Sequence, residues 1–194
     1  AHNVEHRFLE RYLQYEASPL RRAYARLEMM KLRTWERRTV ARAALVMACS
    51  RADRNVFESM CPGAGVAVVP NIVDVDSYTV SPDGGDGSLL YAGGMDWFPN
   101  RDAVEFFTWR ILPELRKHAG NIKFRVFSPD HPAPPDFLRR AGSVPELEFA
   151  SAPDIRPVLA AASVFVVPLK IGSGTRFKIL ESAAMAKPSD CDAA

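Results

Sequence analysis

Apolar residues change their spacing once along this chain. Up to about residue 42 they recur at helical intervals among many charges, and from Ala44 onward they gather in short runs separated by helical stretches. Ser18 and Pro19 read as an N-cap and first helical residue. Leu20, Tyr24, Leu27 and Met30 then follow as an apolar stripe, with Arg21, Arg22, Arg26, Arg33, Arg37 and Arg38 mostly off it. The pattern next predicts a strand over 44–48, a helix over 51–60 and a strand over 66–69. Residues 74–87, ending Ser-Pro-Asp-Gly-Gly-Asp-Gly, read as a junction too polar and glycine-rich to pack. Beyond it come a strand over 89–92, a turn at Gly93 and Gly94, and a helix capped by Asn100 that runs to about Lys117. Its Ala103, Phe106, Phe107 and Ile111 form one apolar face. Strands over 122–127, 147–149 and 164–168 then alternate with helices over 135–141 and 155–161.

Strands that are largely apolar and separated by helices predict an α/β fold whose parallel sheet is covered on both faces. Ligands of such sheets sit at the carboxyl ends of the strands. Two segments at those ends carry unusual chemistry. Gly93 to Arg101 follows one strand; Ile171 to Lys178 follows another and leads into a helix. The second has the character of a phosphate cradle. A helix start leaves N–H groups unpaired, Gly172 and Gly174 allow close approach, and Arg176 and Lys178 supply positive charge.

Composition narrows the classes. The 194 residues are 47% hydrophobic, enough for a globular core, and no apolar run approaches the roughly 20 residues that span a bilayer. Three cysteines, Cys49, Cys61 and Cys191, lack metal or redox spacing, and their odd number points to a reducing, cytoplasmic compartment. The opening residues lack the pattern of a signal peptide. Net charge is only +2, but residues 1–42 hold ten Lys or Arg against five Glu. A solvated helical face explains that excess better than nucleic-acid contact, because aromatic residues are not interleaved with the cations as a stacking surface requires. Peripheral contact with the inner face of a membrane stays open. His2 and His6 stand four apart without a third ligand, so they predict no metal site.

Four segments resemble the group-1 glycosyltransferases of the GT-B fold. Val69-Pro70-Asn71-Ile72-Val73-Asp74 is similar to the family's hinge segment, and 89–100 to the strand and glycine turn opening its donor domain. Asp154 to Pro168 and Gly172 to Pro188 resemble two further signatures, the last being the most specific. The Met-Asp-Trp-Phe-Pro-Asn turn is similar to members that build bacterial surface polysaccharides. The resemblance implies a Rossmann-like donor domain over 71–194, preceded over 1–70 by a mainly helical part of an acceptor-side domain.

It also implies retaining transfer of a sugar from a nucleoside diphosphate to a glycan or lipid-linked acceptor. Neither metal nor other cofactor is expected, nor a nucleic-acid partner. Gly93, Gly94, Arg101, Gly172, Ser173, Gly174, Thr175, Arg176, Lys178 and Glu181 are the implied donor-binding residues, and His2 and Asn3 the acceptor-side ones. No catalytic residue is assigned. Glu181 matches the family's ribose-binding Glu; pairing with Lys178 three residues earlier is its alternative. On a helix Arg176 and Lys178 point about 200° apart, so one of them, Arg176 for preference, is expected at the diphosphate. Ser173 replaces a family Glu at the donor sugar. Gly94 stands where many relatives carry Arg; Arg101 is the candidate to take over that role, a solvent-facing charge early in the helix being its alternative.

The comparison further implies truncation at both ends. The tail Ser-Asp-Cys-Asp-Ala-Ala has no β-branched or aromatic residue and is not expected to form the strand that would follow. The isolated chain is accordingly expected to be inactive. Two other readings remain: a nucleotide-sugar or phosphoanion binding module without turnover, and a structural α/β domain with a basic partner-docking helix.

Overall fold

The computed structural model describes residues 3–80, 85–120, 122–128, 133–150, 152–171 and 175–191. The chain divides into two units, one of Ala1–Ile72 with Ile171–Arg176, the other of Val73–Lys170 with Phe177–Ala194.

The first unit holds α1 (Glu5–Tyr15), α2 (Pro19–Arg42), β1 (Val46–Ala48), α3 (Arg51–Met60) and β2 (Val66–Val68). Ser18 caps α2 by accepting from the Arg21 N–H at 3.5 Å, with Pro19 in the first turn. Ser50 caps α3 more tightly. Its Oγ accepts from the Asp53 N–H at 3.0 Å and donates to the Asp53 carboxylate at 2.7 Å. Val4, the residue before α1, has no capping side chain, and Glu36 of α2 takes over that task. Its carboxylate accepts from the backbone N–H groups of Glu5 and His6, at 2.8 and 3.3 Å, and bonds His6 Nδ1 at 2.6 Å.

β1 and β2 pair in parallel, Val46 opposite Val66, over a core of Val4, Val40, Ala48 and Phe57. The stripe predicted on α2 does not form this contact. Ala25, Glu36 and Val40 are the buried residues of α2, whereas Leu20 is 84% and Tyr24 67% exposed. At 100° per residue those three lie within about 60° of one another, on the side away from Leu20.

The second unit is a five-stranded parallel sheet in the order β5-β4-β3-β6-β7. Its strands are β3 (Leu89–Ala92), β4 (Phe124–Phe127), β5 (Leu147–Ala150), β6 (Val164–Val167) and β7 (Ser189–Cys191). α4 (Phe98–Phe106), α5 (Leu112–Ala119), α6 (Pro135–Ala141), α7 (Ile155–Ala161) and α8 (Phe177–Ala184) connect them. Leu89 lies opposite both Phe124 and Val164, so β3 is central. From β3 the chain builds outward through β4 and β5, then returns to the other side for β6 and β7. Right-handed crossovers put α4, α5 and α6 on one face and α7 and α8 on the other. Leu90, Tyr91, Phe124, Val126, Phe165 and Val167 from the strands meet Val104, Leu112, Phe137 and Leu159 from the helices in one core.

Three expectations are corrected here. The helix predicted from Asn100 starts earlier, at Phe98 with Pro99 in its first turn, and widens into a π-turn over Phe107–Ile111 before α5. Pro113 supplies no N–H to the carbonyl four residues before it, which is where the regular ladder gives way. The tail does form a strand. β7 pairs with β6 in parallel, Phe165 opposite Ser189, because edge pairing is made by backbone groups that every residue here carries. The polar junction also packs in part. Asp74 caps a 3₁₀ turn over Val75–Ser77, and Tyr78 packs against the core. Burial pushes the pKa of Asp86 up, but hydrogen bonds from Ser88 and the Arg125 guanidinium outweigh it and lower the pKa to about 2.

Candidate functional site

Strand order reverses between β3 and β6, and a sheet of this kind opens its ligand crevice there, at the carboxyl ends. The end of β3 runs into Gly93 and Gly94; the chain leaving β6 leads to α8. Of the residues singled out above, Gly93, Gly94, Arg101, Lys178 and Glu181 belong to this unit.

Glycine is required at 93. A Cβ there would lie 2.7 Å from Asn100 Nδ2 and 2.8 Å from its Cγ. That space lets the buried Asn100 side chain fold back beneath the turn. Its Nδ2 donates to the Gly94 carbonyl at 2.9 Å, and its Oδ1 accepts from the Tyr91 hydroxyl at 2.6 Å. Asn100 is therefore not the helix cap that its position suggested but a buried polar tie between helix, turn and strand. Trp97 occupies the cap position, without a capping side-chain bond, and is 49% exposed. Backbone bonds fix the turn from below: Gly93 N–H donates to Phe127 O at 3.0 Å and Met95 N–H to Ser128 Oγ at 3.0 Å. Arg101 folds back as well, its Nη1 donating to the carbonyls of Met95 and Asp96 at 3.2 Å each.

Lys178, in the first turn of α8, turns toward the end of β3. Its ammonium donates to Ala92 O at 2.6 Å and the Tyr91 hydroxyl at 3.2 Å, with Asn100 Oδ1 at 3.4 Å. One turn further on, the half-buried Glu181 accepts from the Tyr78 hydroxyl at 2.9 Å. Burial first, then the bond to this carboxylate, pushes the Tyr78 phenol above its ordinary pKa. The preceding turn is held by Arg156, whose Nη1 donates to Ser77 O at 3.2 Å while its Nε pairs with Asp154 at 2.7 Å. A carboxylate accepts more than one hydrogen bond, so Glu181 anchored on Tyr78 retains capacity for a vicinal diol.

The other predicted residues fall elsewhere. Gly172, Ser173 and Gly174, and likewise His2, lie outside the described residues. Thr175 is exposed and Arg176 half-buried, in the segment grouped with the first unit. Asn3 is half-buried in that unit, at the rim of an apolar hollow lined by Trp35, Val40, Leu45, Met47 and Phe57. Among the described residues no cluster of three or more His, Cys, Asp or Glu is arranged to hold a metal. Nor, among them, is any helix long and apolar enough to cross a membrane.

Sequence reading missed Tyr78, Tyr91 and the inward role of Asn100. Tyr91 offered no signal, since an aromatic in a core strand is ordinary. The tight run Gly-Gly-Met-Asp-Trp-Phe-Pro-Asn did offer one for Asn100: a polar residue in the first turn of a helix whose cap position it does not hold.

A family model described as Glycosyl transferases group 1 matches residues 86–189. Curated proteins give no match by sequence. Among solved structures the chain is similar to TarM (TM-score 0.67, 10% identity), over 83% of this chain and 32% of that one. It is similar to the pneumococcal O-GlcNAc transferase GtfA, solved with UDP and GlcNAc (TM-score 0.64, 11% identity, 84% and 33% covered). It is also similar to the α,α-trehalose 6-phosphate synthase of Burkholderia multivorans (TM-score 0.60, 13% identity, 90% and 49% covered). The chain thus spans between 32% and 49% of the length of these proteins. At such identities the likeness is one of fold: a Rossmann-like α/β arrangement shared with part of each larger protein.

Proposed function

The chain belongs to the group 1 glycosyl transferases, and from that premise we propose that its second unit binds the nucleoside diphosphate of a sugar donor. The carrying observation is the strand-order reversal between β3 and β6, with the Gly93-Gly94 turn at one carboxyl end and Glu181 on the helix that follows the other. In this reading the ribose diol takes the acceptor capacity of Glu181 that Tyr78 leaves. The diphosphate takes backbone N–H groups and cations, which stabilise a leaving anion as its charge grows. Gly172, Ser173, Gly174, Thr175 and Arg176 are assigned to donor binding on the strength of the signature alone.

The sugar passes with retention to a glycan or lipid-linked acceptor, in the synthesis of a surface polysaccharide on the cytoplasmic side of a membrane. His2 and Asn3 serve the acceptor. The exposed Arg21, Arg22, Arg26, Arg33, Arg37 and Arg38 of α2 bring the chain to acidic lipid. No metal or other cofactor is invoked, the leaving charge being met by protein groups.

The donor reading is tested by titrating the chain with UDP, GDP, ADP and their 2′,3′-dideoxy forms. One diphosphate should bind selectively and raise thermal stability. Glu181→Ala should weaken its binding by about ten- to a hundredfold, the value of hydrogen bonds to a charged group, yet leave the dideoxy form unaffected. Equal losses for both forms would remove Glu181 from the ribose, and absence of binding by all six would overturn the reading.

A further inference from the structure

We propose that Lys178 is a positioning residue, which acts on the donor by shaping the Gly93-Gly94 turn rather than by touching the diphosphate. This rests on the donor reading above and settles which cation of the signature serves the turn.

An ammonium has three N–H donors. Those of Lys178 converge on three acceptors at the end of β3, namely Ala92 O, the Tyr91 hydroxyl and Asn100 Oδ1, at 2.6, 3.2 and 3.4 Å. The acceptors are held before the lysine arrives. Tyr91 is fully buried, Asn100 is 5% exposed, and the hydroxyl of one donates to the amide oxygen of the other. The ammonium also stands 4.4 Å from the Tyr91 ring centroid, within cation–π range.

The chain of contacts continues into the turn. Asn100 holds the Gly94 carbonyl through Nδ2, and only glycine at 93 leaves room for it. Lys178 thereby ties the first turn of α8, which begins at Phe177, to the turn that ends β3. A charge whose donors converge in this way fixes the direction of neighbouring backbone groups and offers little to an arriving phosphate. Lysine suits the task better than arginine, because a compact tetrahedral donor fits three converging acceptors and a planar fork does not.

The test uses the full chain carrying Lys178→Met, Lys178→Arg or, as a milder change, Tyr91→Phe. Amide hydrogen exchange is first measured without ligand. The Gly93 and Met95 amides should exchange about tenfold faster or more in both lysine variants, the equivalent of losing a hydrogen bond to a charged group, and less so in Tyr91→Phe; β4 should keep its protection. Affinity for UDP, GDP and ADP is then followed against salt. Both lysine variants should weaken the bound diphosphate about tenfold with the wild-type salt dependence retained, and arginine should fail to rescue.

A phosphate ligand would behave differently. Unchanged exchange in the turn, rescue by arginine, or a reduced salt dependence in Lys178→Met would overturn the proposal. If the wild-type chain binds none of the three diphosphates, the donor reading falls, while the exchange measurement still decides whether Lys178 orders the turn. Should Lys178→Met fail to fold, Tyr91→Phe and Lys178→Arg carry the same comparison.

Discussion

The two units use the same alternation of strand and helix and reach different degrees of closure. In the first, β1 pairs only with β2 among the described residues, and Leu45 and Met47 are more than half exposed. In the second, β3 lies between two partners, and Leu90, Tyr91, Phe124 and Phe165 are at most 1% exposed. The difference teaches that an apolar strand is buried by its neighbours and not by its own composition. A parallel strand needs cover on both faces, and five strands with helices on both sides supply it where two do not. Polar chemistry divides in the same way. The first unit places its buried carboxylates at helix starts, Glu36 at α1 and Asp53 at α3. The second distributes polar ties around a turn at the end of a strand, where a ligand would meet them.

Loss of a core ring should separate the units most sharply. Phe124→Ala removes a fully buried side chain whose ring lies tilted against Phe107, at a centroid distance of 4.4 Å, and should cost about 3–5 kcal/mol in denaturant unfolding. If Phe57→Ala in the small core costs as much and lowers protection of β3 to β6, the two units are one cooperative block. Next in size, Glu36→Ala strips α1 of its cap and leaves the N–H groups of Glu5 and His6 without their acceptor. A loss of about 1–3 kcal/mol is expected, with faster exchange confined to α1 and α2.

A smaller effect follows from Asp86, which bonds Arg125 and Ser88 and titrates near 2. Its folded pKa lies below the usual carboxylate value of about 3.9. The stability it confers is therefore complete above that value and is lost as pH falls through about 2. Asp86→Asn should flatten this acid limb and make the chain less stable at neutral pH, both measured by urea unfolding as a function of pH. Smallest of all, Leu20→Ser on the open side of α2 should change stability by no more than about 0.5 kcal/mol, the usual range for a surface site. A larger loss would mean that this side of α2 is covered in solution.

Helices over 51–60, 135–141 and 155–161 were legible to the residue, because a cap at Ser50 and Asp154, or a proline in the first turn at Pro135, agrees with the spacing there. So were the strands of the large sheet, within two residues at each end. β7 was not legible: propensity scales weigh side chains, and that strand is held by its backbone against Phe165 and Val167. The α2 stripe misled because periodicity identifies an apolar face without saying what stands opposite it.

Of the candidate site, Gly93, Gly94, Arg101, Lys178 and Glu181 were singled out in the sequence, but what each touches was not legible there. By itself the sequence determined the order of strands and helices, the glycines where backbone must come close, and the cations and carboxylate beside them. These are local properties, expressed in spacing and residue type. Only the tertiary structure decided that Tyr91, Asn100 and Lys178 meet at one point, and that Tyr78 holds Glu181 across 103 positions of chain. Contacts at such separations depend on where the sheet reverses its order, which no local pattern records.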